Sequence, residues 1–231
     1  YGVYFKEARP STFEHVIIKN GTTGIHIEGA DPSNGTNPTL TINNSLVYSH
    51  AYYGILSFAG ARIKAENTVI AKNGIHAFMN LAGSAFDFNH CTFLSYGLGT
   101  KQAAAIGISD FYQTNTQTIV TDINGKITNC IIYGSQDYEL AIDTDNIGTN
   151  TFLIDNNFIW NAQPLTIAGV TSTNRWTVDP KIKNEGEFDF SLLSDSPCKD
   201  VATPMYPTAN NTDIKGFNRG SLPDVGAYEI E

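Results

Sequence analysis

The sequence predicts an all-β fold in which short coils stack into a solenoid and like strands form parallel sheets. A six-residue pattern recurs along the chain at spacings of 23 to 39 residues. Within each copy apolar residues occupy every second position, as a strand with one buried face requires. No amphipathic helix of useful length separates the copies. Such a coil cannot bury its apolar side alone, so neighbouring coils must close the core between them.

Each copy reads as a strand, a turn and a second strand. The copies are FEHVII (13–18), INNSLV (42–47), AENTVI (65–70), FNHCTF (88–93), ITNCII (127–132) and IDNNFI (154–159). The third position is polar throughout: His15, Asn44, Asn67, His90, Asn129 and Asn156. Asparagine tolerates the left-handed backbone of a tight turn, and stacked amides can bond from coil to coil. This column is therefore predicted to be a ladder at a turn.

The last position of each copy is apolar and is predicted to form one buried column. Its members are Ile18, Val47, Ile70, Phe93, Ile132 and Ile159. A further short strand is predicted after each copy, at GIHI (24–27), GILSF (54–58), AFMNL (77–81), AIGI (105–108), LAI (140–142) and LTI (165–167). Two or three strands per coil then complete the predicted solenoid.

Composition excludes several classes of partner. The 231 residues suffice for one domain with a sizeable core. A net charge of −9 argues against nucleic acid and anionic membrane surfaces, and no apolar run is long enough for a membrane span. The opening YGVYF reads as mid-domain sequence, so we expect a mature or truncated form of a longer protein.

The three cysteines are predicted to be structural. Cys91, Cys130 and Cys198 contain no CxxC pair, so neither a zinc site nor a disulfide framework is indicated. Cys91 and Cys130 share one column, where we expect buried neighbours without a catalytic role. Catalysis by a thiolate would need a facing histidine in an electropositive setting.

The C-terminal region follows a different pattern. VDPKIKNEGEFDFSLLSDSPCKD (178–200) has the form DPxF…DFxL…SPxxD, with Ile182 in place of the commoner Phe and Cys198 in place of Ala. DIKGFNRGSLPDVGAYE (213–229) has the form DxxGxxR…DxGAYE. With the repeats, this ending resembles right-handed parallel β-helix proteins of the pectate-lyase-like superfold, many of them secreted or surface proteins of polysaccharide-degrading bacteria.

The resemblance implies a domain with β-helix coils over 1–170 and a final coil and non-repetitive capping segment over 171–231. It also implies an extracellular or bacterial cell-surface location. Two interpretations stay open for the charged residues of the ending, Asp213, Arg219, Asp224 and Glu229. They pair with one another to fix the cap, or they form an acidic binding site around Arg219.

Three insertions predict where a site would lie. EGADPSNGTNP (28–38), SDFYQTNTQTIVTDING (109–125) and DTDNIGTNT (143–151) all precede a new coil, so they leave the same corner and can wall a groove. Their carboxylates are weak candidates for Ca²⁺ ligands: Asp110, Asp122, Asp143 and Asp145. Solvated polar loops are the alternative. The pairs Asp143–Asp145 and Asp87–Asp110 are candidates for glycoside hydrolysis.

The resemblance further implies that a lyase of this superfold would use Lys or Arg as the base, with Ca²⁺ neutralising a uronate. The candidate bases are Arg62, Lys64, Lys72, Lys101 and Lys126. None of them lies in a recognisable lyase motif. No cofactor other than Ca²⁺ is indicated.

Outward positions after the turn form an unusual apolar stripe. One column reads Ile17, Leu46, Val69, Thr92, Ile131 and Phe158, and the next ends in Tyr133 and Trp160. We predict that Leu46, Val69, Ile131 and Phe158 are covered, by the segment after Trp176 or by a partner chain, because a bare stripe would promote aggregation. The alternative is a platform for sugar rings, with the candidate binding residues Tyr48, Tyr133, Phe158 and Trp160.

The sequence therefore favours a secreted or cell-surface β-helix module without catalysis, which binds carbohydrate or a partner protein in a larger surface assembly. A purely structural spacer is a further hypothesis. The enzymatic alternative is a polysaccharide lyase or glycoside hydrolase that acts on an acidic or plant/algal-type polysaccharide in the long-loop groove. A groove that holds Lys or Arg within reach of several carboxylates would favour the enzyme.

Overall fold

The fold is described from a computed structural model, which covers residues 1–31, 33, 35–95, 103–144, 149–209 and 211–230. A short 3-10 helix spans Glu185–Glu187. The strands are β1 (Val3–Lys6), β2 (Ser11–Glu14), β3 (Ile17–Lys19), β4 (Thr23–Glu28), β5 (Leu40–Asn43), β6 (Leu46–Tyr48), β7 (Tyr53–Phe58), β8 (Arg62–Glu66), β9 (Val69–Ala71), β10 (His76–Leu81), β11 (Ala85–Asn89), β12 (Thr92–Leu94), β13 (Ile106–Ser109), β14 (Phe111–Gln113), β15 (Thr118–Val120), β16 (Asn124–Thr128), β17 (Ile131–Tyr133), β18 (Leu140–Asp143), β19 (Thr151–Asp155), β20 (Phe158–Ile159), β21 (Arg175–Trp176), β22 (Ile182–Asn184) and β23 (Asp189–Leu192).

Three parallel sheets run the length of a solenoid of about five turns. The first sheet has the order β1-β4-β7-β10-β13-β18, and the second β2-β5-β8-β11-β16-β19. The third sheet has the order β3-β6-β9-β12-β17-β20-β21. Two antiparallel pairs, β14–β15 and β22–β23, project from this frame. The prediction of an all-β parallel solenoid is confirmed.

The predicted inner column is also confirmed. Its six members are register partners in adjacent strands of the third sheet, from Ile18 in β3 to Ile159 in β20. All except Ile18, which is half-buried in the first coil, are fully buried. Each aliphatic side chain removed from water in this way contributes roughly 1.5–3 kcal/mol.

The strand predicted at 165–167 is wrong. Asn157 and Asn174 are partners in successive coils and lie only 17 residues apart. This distance is too short for a coil that visits all three sheets, and Pro164 cannot donate to a ladder. The last coil therefore bypasses the first sheet, pairs with the second sheet by a single parallel bridge between Val170 and Ile154, and then joins the third at β21.

The polar turn column carries the predicted side-chain contact at three of its five steps. All six of its residues have left-handed backbones, with φ between 47° and 55°. Asn67 Nδ2 donates to Asn44 Oδ1 at 3.1 Å. Asn129 Nδ2 lies 3.1 Å from His90 Nε2, and Asn156 Nδ2 donates to Asn129 Oδ1 at 2.8 Å. The ladder fixes the angle between the second and third sheets from coil to coil.

The residues after Trp176, here called the C-terminal segment (177–209 and 211–230), cover the outer face of the third sheet. Val69, Ile131 and Phe158 are at most 1 % exposed, and Leu46 is half-buried. They pack against residues of the segment: Phe190, Leu192, Val225, Ala227 and Tyr228. Covering of the apolar stripe by the chain's own C-terminal segment is therefore confirmed.

The charged residues of the ending fasten this segment to the solenoid. Arg219 is 2 % exposed, and its Nη1 contacts Glu229 Oε1 at 2.5 Å. Arg219 Nη2 donates to Asn67 Oδ1 at 2.8 Å, which joins the segment to the ladder. Asp213 Oδ2 accepts from the Glu229 amide, and Asp224 Oδ2 from the Ile230 amide. These internal pairings favour the structural interpretation over an acidic binding site.

Candidate functional site

A groove of about 250 Å³ lies on the outer face of the second sheet, across β8, β11 and β16. Side chains along a strand alternate between faces, so Arg62 and Lys64 line the groove while Ile63 between them is buried. The polar lining consists of Arg62, Lys64, Asp87, Asn124 and Lys126, with Thr36 from the loop between β4 and β5. The groove thus adjoins the corner from which the long insertions leave, as predicted.

The strand register brings the groove's charges into one column. Lys64 pairs with Asp87, and Asp87 with Lys126, so the two lysines start from strands about 10 Å apart on either side of one carboxylate. Lys126 Nζ lies 3.5 Å from Asp87 Oδ1, and Lys64 Nζ lies 3.0 Å from Glu66 Oε1. Together with Arg62, this part of the sheet carries three cations and two carboxylates, Glu66 and Asp87. It therefore has a local excess of positive charge on an otherwise acidic protein.

Arg62 has unused capacity for a hydrogen bond. Its Nη1 atom is buried and has no partner among the described residues. A buried donor without a partner costs roughly 1–3 kcal/mol. A guanidinium presents its donors in a planar fork that suits carboxylates and other pairs of oxygen atoms. Because Nη1 is closed to solvent in this conformation, the Arg62 side chain has to turn toward the groove to offer this donor to an oxygen-rich ligand.

The C-terminal segment borders the groove on the side of the ladder. The Tyr206 ring lies 5.1 Å from Lys126 Nζ. Asn89 Nδ2 donates to Tyr206 O at 3.0 Å, and Ala209 N donates to Glu66 Oε2 at 3.0 Å. The stretch 203–209 therefore covers the outward positions at the ends of β8 and β11 and leaves the groove open over their beginnings.

The three candidate Ca²⁺ ligands that the structure describes, Asp110, Asp122 and Asp143, do not meet in one site. Asp110 is buried and accepts from Asn150 Nδ2 at 2.6 Å, which ties two insertions together. Asp122 accepts from the Thr149 amide at 2.7 Å, and Asp143 is exposed at the end of β18. Asp145 lies outside the described residues. In the described ranges, no three His, Cys, Asp or Glu side chains are grouped to hold a metal.

The aromatic candidates divide into two groups. Phe158 is 1 % exposed beneath Arg175, so its ring offers almost no surface to a sugar in this conformation. Tyr48 is half-buried beside Phe188, with ring centroids 5.2 Å apart, and belongs to the covered stripe. Tyr133 and Trp160 meet edge to face at 5.4 Å at the margin of the segment. A continuous sugar platform is therefore not present on the third sheet among the described residues.

Three of the five candidate bases, Arg62, Lys64 and Lys126, converge in the groove. Lys72 instead donates to Glu185 O at 3.0 Å, and Lys101 lies outside the described residues. Sequence reasoning missed Asn124 and Tyr206. Asn124 follows an insertion directly and could have been found from the register of the repeats. Nothing in the sequence indicates Tyr206, which meets Asn89 across 117 residues.

The cysteines are buried as predicted. Cys91 N donates to Cys130 Sγ at 3.3 Å, and both residues are 0 % exposed. Burial raises the pKa of the Cys91 thiol well above its usual value. His90 turns its ring nitrogens toward Asp224 O and Asn129. That Cys91 and Cys130 have no catalytic role stays a prediction.

No protein-family model, curated protein sequence or solved structure matches the chain. No helix in the described part of the chain has the length and hydropathy of a membrane span. The fold and the groove therefore carry the functional argument.

Proposed function

We propose that the chain is a carbohydrate-binding β-solenoid and that the groove over the second sheet receives a short stretch of an acidic polysaccharide. The observation that carries this proposal is the convergence of Arg62, Lys64 and Lys126, with Arg62 Nη1 buried and without a partner among the described residues. A ligand oxygen would supply the missing hydrogen bond.

The chemistry of the groove suits a sugar chain. Arg62, Lys64 and Asn124 donate hydrogen bonds, and Asp87 accepts them, so hydroxyl groups find both kinds of partner. Parallel strands repeat every 4.8 Å or so, which presents similar side chains at a regular spacing to a ligand that itself repeats. The cations favour a polysaccharide that carries carboxylates or other anionic groups.

The proposal includes membership of the pectate-lyase-like superfold and a location outside the cell or at a bacterial surface. The DxxGxxR…DxGAYE ending supports it, because Arg219, Asp224 and Glu229 have a common structural task in fastening the C-terminal segment. The broader surface assembly and a protein partner stay hypotheses of the sequence.

Binding is tested by affinity electrophoresis in gels that contain alginate, polygalacturonate or neutral laminarin. We expect the acidic polysaccharides to retard the protein. Arg62→Met should weaken binding about tenfold, because a hydrogen bond to a charged group is worth roughly 1.5–3 kcal/mol. The matched control is Lys6→Met, which removes a cation paired with Glu28 on the first sheet.

The control should bind within about twofold of the wild type, because exposed ion pairs contribute little. Equal retardation of the wild type and Arg62→Met would contradict the assignment of the groove. So would equal losses in Arg62→Met and Lys6→Met, which would indicate an effect of net charge alone.

One observation favours the enzymatic alternative. Lys64 and Lys126 line the groove together with the carboxylate of Asp87, which lies 3.5 Å from Lys126 Nζ, and a groove that combines basic and acidic groups favours a polysaccharide lyase or hydrolase. In a lyase, a base removes the proton next to a sugar carboxylate while a cation neutralises that carboxylate. Incubation with the same polysaccharides should then release unsaturated uronate ends, detected by ultraviolet absorbance, and Lys64→Met or Lys126→Met should abolish the release.

A further inference from the structure

We infer that residues 203–209, 211 and 212 of the C-terminal segment form one wall of the groove, in which Tyr206 positions Lys126 toward the ligand. Binding in the groove and docking of the segment are then coupled. The inference rests on the proposed function and adds to it a residue, a wall and a linkage that the groove lining alone does not show.

Lys126 is held from two sides. Its Nζ lies 3.5 Å from Asp87 Oδ1 and 5.1 Å from the centroid of the Tyr206 ring. An ammonium group near an aromatic ring is attracted by the negative charge of the ring face. A lysine side chain otherwise loses considerable rotamer freedom when a ligand fixes it. Tyr206 thus reduces the entropy that ligand binding must remove.

Tyr206 is itself fixed to the solenoid. Its hydroxyl donates to Asp155 Oδ2 at 2.8 Å, and its carbonyl accepts from Asn89 Nδ2 at 3.0 Å. These partners lie in β19 and β11, two strands that flank the strand carrying Lys126. The ring therefore has a defined position over Lys126 while the segment is docked.

Lys64 is connected to the same stretch through Glu66. Glu66 Oε1 lies 3.0 Å from Lys64 Nζ, and Glu66 Oε2 accepts from Ala209 N at 3.0 Å. Two ladder residues complete the docking, because Asn129 exchanges two hydrogen bonds with Thr203 and Asn67 Nδ2 donates to Thr212 O. A ligand that requires both lysines in place binds the docked form preferentially and stabilises it.

The first test compares Tyr206→Ala, Tyr206→Phe and the control Tyr52→Ala, a half-exposed tyrosine on the side of the first sheet. With alginate and polygalacturonate as probes, Tyr206→Ala should raise Kd about fivefold, as loss of a cation–π contact allows. Tyr206→Phe keeps the ring and should bind nearly as the wild type does, and so should Tyr52→Ala. Amides of 203–209, 211 and 212 should exchange more slowly when either polysaccharide is present.

A wild-type Kd in Tyr206→Ala, or unchanged exchange of these amides on binding, would overturn the inference. A second measurement needs no ligand. Acetylation of Lys126 by acetic anhydride, followed by mass spectrometry with Lys6 as internal reference, should be faster in Tyr206→Ala than in the wild type. An unchanged rate overturns the positioning role of Tyr206.

The two proposals fail in distinguishable ways. A wild-type protein that binds neither polysaccharide overturns the proposed function. Faster acetylation of Lys126 in Tyr206→Ala would even then show that Tyr206 holds Lys126 in place. If the wild type binds both polysaccharides and Tyr206→Ala changes neither the Kd nor the acetylation rate, the proposed function stands and the assignment of the wall is overturned.

Discussion

Asn129 closes a turn, joins neighbouring coils and fastens the C-terminal segment with one side chain. Its backbone has φ 51°, which asparagine accepts more readily than most residues. Its Oδ1 accepts from Asn156 Nδ2 and from the Thr203 amide. Its Nδ2 donates to Thr203 O at 3.1 Å. Because the side chain is fully buried, none of these groups can exchange its partner for water.

Asn129→Ala should therefore lower the free energy of unfolding by about 2–4 kcal/mol. Left-handed strain contributes roughly 1–2 kcal/mol, and buried groups left without partners roughly 1–3 kcal/mol. The control, Asn129→Gly, loses the same hydrogen bonds but accepts the backbone, so it should be the more stable of the two. Urea denaturation measures both, and a glycine variant less stable than the alanine variant would contradict this account.

At the scale of elements, the third sheet shows why the alternation of apolar and polar side chains breaks down on the outer face of one sheet only. Its outward column is apolar because the C-terminal segment, and not water, lies against it. Gly226 of the segment approaches so closely that an added Cβ would lie 2.6 Å from Ile131 Cδ1. Ile17, in the same column but in the first coil, is 61 % exposed because the segment leaves it open.

This column offers a matched pair of substitutions. Ile131→Ala should destabilise the protein by about 2–4 kcal/mol, since it opens a cavity between the sheet and the segment. Ile17→Ala makes the same chemical change at an exposed position and should cost less than about 0.5 kcal/mol. Urea denaturation of both variants checks the difference. Equal costs would show that the outer column does not stabilise the protein through the segment.

Much of the fold could be predicted because its signals recur locally in the chain. The polar turn column and the inner column repeat with every coil, and the apolar stripe is visible in the same alignment. The prediction for the last coil is wrong because LTI at 165–167 has the periodicity of a strand. The coil is shortened by the route of the backbone, which this local periodicity does not show. A local sequence pattern does not indicate that a coil lacks a strand in one of the three sheets.

The groove could be predicted only in part. Arg62, Lys64 and Lys126 are three ordinary cations in the sequence, and their convergence depends on register across an insertion. Phe158 has the same spacing as an exposed platform residue, and only the covering segment decides its burial. Tyr206 reaches the site by a contact of long sequence separation, which no periodicity encodes.

At the scale of the whole molecule, a buried charge network lies between the ladder and the C-terminal segment. Burial raises the pKa of Glu229 to about 7, although the Glu229 carboxylate contacts Arg219. Burial, with the nearby Arg219 charge, holds the pKa of His90 well below its usual value. The two groups therefore respond to acid in opposite directions.

The sign of each contribution predicts the pH profile of stability. Glu229 has a folded pKa above its ordinary value of 4.5, so its contribution is full below pH 4.5 and is lost as the pH rises through 7. His90 has a folded pKa below 6.5, so its contribution is full above pH 6.5 and is lost as the pH falls through the folded pKa.

Compared with the wild type, Glu229→Gln should show a free energy of unfolding that rises more steeply with pH between 4.5 and 7. His90→Asn places the common ladder residue at this position, and its free energy of unfolding should rise less steeply with pH than that of the wild type. Urea denaturation across a pH series measures the slopes. Slopes that change in the same direction in both variants would contradict the opposed roles.

The contact between Arg219 and Asn67 spans 152 residues, and this separation has a consequence for synthesis on the ribosome. Coils of a solenoid can form one after another as they emerge, because each contacts only its neighbours. The stripe on the third sheet, however, stays uncovered until the C-terminal segment has been synthesised, and transiently exposed apolar surface binds chaperones or promotes aggregation. A nascent chain paused before Arg219 carries assembled coils whose third sheet is not yet fully covered, so synthesis of the C-terminal segment protects the molecule more than formation of the coils does.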